Sequence, residues 1–302
     1  MATAREIRRR IQSIRNLGQV TRALQAVAAS NVRKAQQSVS ATRPYAKAAW
    51  EVIISLGAVS PQALHPLLTK HSPINNILIV LISGDRGLCG AYNQNIIRVT
   101  RDFVSRRGLP TRYITVGAKG RDILWRMRAD IVAEFHGLPP VPSMVDVSAI
   151  ARAAIDEFLE RRADEVYLAR TDFINVLTQK PVIQRLLPLR PLETEAQVMQ
   201  EYIVDVSTPP RVDYIYEPNA EHILNTILPR FTELQVYQAI LEAHASEYAA
   251  RMVAMRNATD NAATLVEDLT LDYNKVRQHS ITSELLDIAG GAEALAQAMA
   301  KR

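Results

Sequence analysis

The chain of 302 residues has little of what staples, anchors or catalyses. It holds one cysteine, Cys89, so no internal disulfide can form and a reducing compartment fits. Its longest apolar run is Ile77 to Ile82, far below the roughly 18 residues that span a bilayer. The N-terminus lacks the apolar core of a secretory signal, and its basic amphipathic pattern continues without a cleavage-like break. The histidines at 65, 71, 136, 222, 244 and 279 are scattered. No pair of them has a metal-ligand spacing such as H-x-x-x-H. Between Tyr248 and Ser280 there is neither proline nor glycine. Against these absences stands a hydrophobic content of 48%, enough for two structural units with a real core.

The unbroken stretch organises the rest. Positions alternately four and three apart are Tyr248, Met252, Met255, Thr259, Ala262, Val266, Leu269, Tyr273, Val276 and Ser280. That is the 3.5-residue repeat of a coiled-coil seam. The surface around it is largely polar, with Arg251, Arg256, Asn257, Asp260, Glu267, Asp268 and Asp272. A stripe this narrow suits one partner helix, not a globular core. The pattern extends from Asn219 to about Asp287, roughly 100 Å of helix at about 1.5 Å per residue.

The other long helix lies at the opposite end, from Thr3 to about Leu56. Its apolar positions are Ile7, Ile11, Ile14, Leu17, Val20, Leu24, Val27, Val32, Ala35 and Val39, with slips in spacing that imply local over- or underwinding. Ala23, Ala26, Ala28 and Ala29 thin its middle, so a partner backbone can come close. Pro44 predicts a kink or short break, and the helix should end near Gly57, before the loop marked by Pro61, Pro66 and Pro73. Charge supports pairing the two ends. Met1 to Lys34 carries eight bases and one acid, whereas Asn219 to Asp287 carries ten acids and five bases. The formal net charge of +5 therefore sits mostly in the first helix.

The middle alternates strand and helix. Asn76 to Ser83 is a short, continuous apolar run rich in β-branched residues, as for a strand buried on both faces. Helix is predicted over Asn93–Arg107, Lys119–Arg128 and Val145–Arg162, and strand over Arg112–Val116, Ile131–Phe135 and Asp164–Asn175. Such βαβ units give a mostly parallel, helix-covered sheet. Arg185 to Thr194 reads as loop, Gln200 to Val206 as an edge strand, and Pro209-Pro210 as a break. The expected fold is α/β: a long antiparallel coiled coil of the terminal helices (1–57 and 208–302) with a Rossmann-like α/β domain (74–207) inserted between them.

Three chemistries compete for these features. A strand followed by the turn Gly84 to Gly90 and a helix is where α/β folds bind phosphates. The turn is neither G-x-G-x-x-G nor a P-loop, since Gly90 is followed by Ala91-Tyr92, and Asp85 would set a negative charge beside a phosphate. A tight turn whose glycines allow positive φ is the simpler reading. Cys89 could be a nucleophile, but no base can be assigned to it. His279 on the long helix suits packing or a partner better than catalysis. Arg8-Arg9-Arg10 and Arg15 could contact nucleic-acid phosphates, yet no aromatic residues interleave for base stacking.

Lined up, several segments resemble one family. Arg5 to Ile14, Val20-Thr21-Arg22-Ala23-Leu24 and Val27-Ala28-Ala29 resemble the gamma subunit of F-type ATP synthases. So do Asp85-Arg86-Gly87-Leu88-Cys89-Gly90 with Asn93, and Asp213 to Pro218. At the C-terminal end the similar segments are Ala250 to Met255, Ala258 to Ala262, Tyr273 to Gln278, Ile281 to Leu285 and Gly290-Gly291-Ala292. The resemblance covers the whole chain in order, and its C-terminal motifs are specific.

The resemblance implies a rotary central stalk that does no bond chemistry, with no catalytic residue, cofactor or metal of its own. The coiled coil would enter the cavity of the alpha–beta hexamer. The inserted domain would lie against the epsilon subunit and the membrane proteolipid ring. The assembly would sit peripherally on the cytoplasmic face of a bacterial plasma membrane, with no direct membrane span and no nucleic acid. Proton-driven rotation of an asymmetric shaft would favour a different conformation in each beta subunit in turn. By motif position, Leu24, Asp85, Arg86, Cys89, Arg277, Gln278, Thr282 and Glu284 are the expected beta-subunit contacts. Tyr214, Tyr216 and Glu217 are the expected contacts to the proteolipid ring and epsilon. Leu24 stands where many members have Met, Asn31 where many have Lys and His279 where many have Ala. Cys89 is alone, so the regulatory cysteine pair of chloroplast members is absent, which argues against thiol regulation.

Overall fold

The computed structural model describes residues 3–59, 65–189 and 220–300. The chain divides into two compact units: Met1–Ala26 with Ala254–Arg302, and Val27–Val253. This division runs through both terminal helices and does not follow the 1–57, 74–207 and 208–302 segments.

Helix α1 is Ala4–Val59 and the last helix, α5, is Ala220–Ala300. Thr3 and Glu6 open α1 as a capping box. The Glu6 carboxylate accepts the Thr3 amide at 2.9 Å, and the Thr3 hydroxyl accepts the Glu6 amide at 3.3 Å. No break appears at Pro44: α1 runs through it. Pro44 and Ser40 are both exposed, so the carbonyl that loses its donor can turn to water.

In the first unit the two helices pair antiparallel. An ideal Cβ on Gly18 lies 3.5 Å from the Ala262 Cβ, and the Thr21 and Thr259 hydroxyls are 2.7 Å apart. Rising numbers on one helix meet falling numbers on the other. Carried on at constant register, Ile14 aligns with Val266, Ile11 with Leu269 and Ile7 with Tyr273. The α5 stripe from Tyr248 to Val276 is buried or half-buried throughout, while Ser280 is exposed.

The α1 stripe differs from the aliphatic pattern. Leu17, Val20 and Val27 are 58%, 56% and 59% exposed. A stripe of buried or half-buried positions runs through Ile7, Ile11, Ile14, Gly18, Thr21, Gln25, Ala28, Val32, Ala35 and Val39, with Leu24, Ala29, Asn31, Gln36 and Ser38 half-buried beside it. The stripe positions alternate four and three without a slip, so no local rewinding is needed. The seam is carried through its middle by small and polar side chains, which periodicity in large aliphatics cannot detect. Ion pairing of the two ends is also not seen. Arg5, Arg8, Arg9, Arg10, Arg15 and Arg22 are exposed, and among the described residues no α1 cation lies within ion-pair distance of an α5 carboxylate. Close packing, not opposed charge, aligns the helices.

The second unit contains a five-stranded sheet in the order β3-β2-β1-β4-β5. Its elements are β1 (Ile77–Ile82), α2 (Tyr92–Arg107), β2 (Thr111–Val116), α3 (Ala118–Arg126), β3 (Asp130–Phe135), α4 (Met144–Leu159), β4 (Glu165–Phe173) and β5 (Gln179–Leu187). The first four strands are parallel and β5 is antiparallel to β4. Every residue of β1 is fully buried. Alternate side chains explain this: Leu78, Val80 and Ile82 face α4 and α5, whereas Ile77, Ile79 and Leu81 face α2 and α3. Strand β5 replaces part of the expected loop from Arg185. Polar Gln179, Lys180 and Gln184 and the internal Pro181 hide it, and an edge strand is where Pro is tolerated. The edge strand expected over Gln200 to Val206 lies outside the described residues.

Candidate functional site

The turn after β1 tests the phosphate reading. Its first amide is taken by a side chain of the chain itself, and the side chains of Asp85 and Ser83 are spent on amides elsewhere. The Gly84 amide donates to the Asn93 Oδ1 at 2.8 Å. Asp85 accepts the Ala118 amide at 2.9 Å and the Gly137 amide at 2.8 Å, and the Ser83 hydroxyl accepts the Gly120 amide at 2.9 Å. A carboxylate thus occupies the anion-favouring start of α3. Only part of the turn uses glycine for positive φ: Gly90 has φ +58°, and so has the non-glycine Leu88 at +63°. At Gly84 a Cβ would meet the Glu247 Oε1 at 2.8 Å, so the end of the Glu247 side chain would have to shift to admit one.

Cys89 is 2% exposed, and its sulfur accepts the Asn93 side-chain amide at 3.2 Å. Burial, and secondarily the nearby Glu247 carboxylate, push its thiol up from the ordinary value, so the protonated form is favoured. Tyr92 donates to the Ala243 carbonyl at 3.0 Å, and burial raises its hydroxyl well above the usual range. Among the described residues no group of three or more His, Cys, Asp or Glu side chains could hold a metal.

The expected contact residues fall into two sets. Asp85 is half-buried and Cys89 buried, both spent on internal bonds. In this chain they hold the turn, while Arg86 beside them is exposed. Arg277, Gln278, Thr282 and Glu284 are all exposed on α5, and Leu24 is half-buried on α1. Helical spacing gathers 277, 278, 281, 282, 284 and 285 onto one broad face. That face includes Ile281 and Leu285, 48% and 62% exposed, which sequence reasoning did not single out. Leu17, Val20 and Val27 were missed in the same way, having been assigned to the seam. Tyr214, Tyr216 and Glu217 lie outside the described residues.

The comparisons agree with this arrangement of helices and sheet. A family profile described as ATP synthase matches residues 3–295. The chain is 46% identical over 300 residues to an ATP synthase gamma chain of Dehalococcoides mccartyi, covering 98% of this chain and 100% of the relative. It is 44% identical over 307 residues to the gamma chain of Herpetosiphon aurantiacus, again over 98% and 100%. Among solved structures it is similar to a chain of the Tetrahymena thermophila mitochondrial ATP synthase central stalk and c-ring. That match has a TM-score of 0.61 and 26% identity, over 79% of this chain and 99% of that one. A chain of the Euglena gracilis mitochondrial ATP synthase shares the fold, with a TM-score of 0.64 and 22% identity over 97% and 94%. By full-length identity and by fold, the chain belongs to the ATP synthase gamma family.

Proposed function

We propose that this chain is the rotating central stalk that couples proton flow through a membrane proteolipid ring to the conformational cycle of catalytic beta subunits, and that it performs no bond chemistry itself. Segments 1–57 and 208–302 act together as the shaft and 74–207 as the inserted domain. Full-length identity to gamma chains carries the reading. The paired helices and an α5 whose residues 284–292 are all exposed support it, because such a stretch suits a sleeve of other subunits. Leu24, Arg86, Arg277, Gln278, Thr282 and Glu284 are the residues that meet the beta subunits, with Ile281 and Leu285 as apolar contacts between them. Asp85 and Cys89 act behind this surface by fixing the turn that carries Arg86. Tyr214, Tyr216 and Glu217 face the ring and epsilon. No helix among the described residues is long and apolar enough to cross a membrane, and a peripheral place on the cytoplasmic face of a bacterial plasma membrane suits the role.

Reconstitution tests this. The chain is mixed with its alpha and beta subunits, assemblies are isolated by size, and ATPase is assayed with the full chain and with residues from 282 onward removed. One copy per hexamer, with turnover that depends on the chain, is expected. A chain that stays outside the hexamer, or that hydrolyses or tightly binds nucleotide alone, overturns the reading.

A further inference from the structure

The contact between α5 and the rest of the second unit changes character along the helix. From Leu224 to Ile240 it is mainly apolar, through Leu228, Phe231 and Leu234, with an Arg152–Glu233 ion pair at 3.7 Å and the Tyr237 hydroxyl donating to the Pro142 carbonyl at 3.2 Å beside them. From Glu242 to Arg251 it becomes a row of polar bonds. Glu242 pairs with Arg170 of β4, which also bonds Asp172 at 2.6 Å and the Gln184 Oε1 at 3.1 Å. The Ala243 carbonyl accepts the Tyr92 hydroxyl at 3.0 Å, and the Ser246 hydroxyl donates to the Thr171 carbonyl at 2.9 Å. Glu247 packs on Gly84 and holds Arg251 at 2.5 Å, and Arg251 reaches the Gly87 carbonyl at 3.4 Å. The row ends two residues before Val253, where α5 passes from one compact unit to the other.

This is an expensive way to attach a helix. Arg170 is 2% exposed, Glu242 8% and Glu247 7%. Taking such charges out of water costs several kcal/mol per ion before pairing recovers it, and apolar residues of similar size commonly do as well or better. The apolar stretch just before it shows that the fold can use such residues here. What the polar row adds is direction. Apolar contact falls off gently as a helix turns or slides in its bed, whereas hydrogen bonds weaken steeply away from their preferred geometry.

We infer that the row Glu242–Arg251 is a polar latch that fixes the rotational and axial register of α5 in the α/β domain, so that load on the domain reaches the helix beyond Val253 without slip. Arg170, Tyr92, Ser246 and Glu247 are then positioning residues for torque transfer, an inference that rests on the rotor reading.

The test uses the assembled ATP synthase containing this chain, with the head fixed and a bead attached to the α/β domain. Angular fluctuation at a catalytic pause reports torsional stiffness. The latch variant is Arg170→Met with Glu242→Leu and Asp172→Asn, which removes the charge from all three side chains of that cluster. A second variant, Tyr92→Phe with Ser246→Ala, removes two neutral bonds and serves if the first does not assemble. The control is Leu228→Ala, a core truncation outside the row. We expect the angular variance to rise about twofold in the second variant, which removes two of the four bonds tying the row to the domain, and by about a third in the first, which removes one, as for parallel bonds of similar strength. The control should match the unaltered assembly. Unchanged variance in the latch variants, or an equal rise in the control, overturns the latch and leaves the rotor reading intact. An unaltered chain that does not rotate in the assembly overturns both.

Discussion

Gly18 gives a sharp check on the shaft. An added Cβ there lies 3.5 Å from the Ala262 Cβ, an ordinary van der Waals contact, and no positive φ is involved. Gly18→Ala therefore gains helix propensity, about 0.8–1 kcal/mol, without a clash. Gly18→Leu adds three further heavy atoms past a Cβ already in contact. Overpacking of that kind costs about 1–3 kcal/mol, so after the same propensity gain the net loss is about 0–2 kcal/mol. The assay is amide hydrogen exchange of α1, which reads local opening free energy. Protection around position 18 should rise about fivefold for Ala and fall by up to about thirtyfold for Leu, since 1 kcal/mol is a factor of about five. If Ala exchanges faster than Gly, or Leu is as protected as Ala, the helices do not meet at Gly18 and the seam assignment fails.

Other changes probe separate parts. Gly117→Ala would place a Cβ 2.1 Å from the Ser83 carbonyl oxygen at φ +97°. The end of β1 would have to move, so a loss above about 3 kcal/mol is expected by chemical denaturation, compounding left-handed strain with overpacking. At the seam, Thr21 can also donate to the Gly18 carbonyl and Thr259 to the Met255 carbonyl, so two hydroxyl protons serve three contacts. Each single Val substitution leaves the remaining hydroxyl a partner. A double-mutant cycle should give a coupling of about 0.5–1.5 kcal/mol, with the double variant close to the unaltered chain in stability. Burial lowers the His244 pKa from 6.5, so the unfolded chain takes up the proton first on acidification. The stability His244 permits is complete above pH 6.5 and declines as pH falls through the lower folded value. His244→Gln should flatten that part of a stability–pH curve, and an unchanged slope would contradict the burial argument.

Much of this architecture was legible because the signals were local. β1 is an unbroken apolar run rich in β-branched residues, and α2 stops at Gly108 with φ +63°. The α5 stripe was legible because its seam residues are mostly large and apolar. The α1 stripe was not, because Gly18, Thr21 and Ala28 are defined as seam only by what lies opposite them. Strand β5 was hidden because an edge strand with Pro181 owes its conformation to pairing with β4.

The candidate site divides in the same way. The sequence alone determined the paired terminal helices, the parallel core of the sheet and the family motifs, since each is written in spacing or residue identity along the chain. Tertiary structure alone decided which side of α1 faces its partner and that Asp85 and Cys89 point inward while Arg86 faces out. It also decided that α5 is latched by Arg170 of β4 and Tyr92 of α2. These facts depend on side chains far apart in sequence competing for the same space and the same protons, and no local pattern records the outcome of that competition.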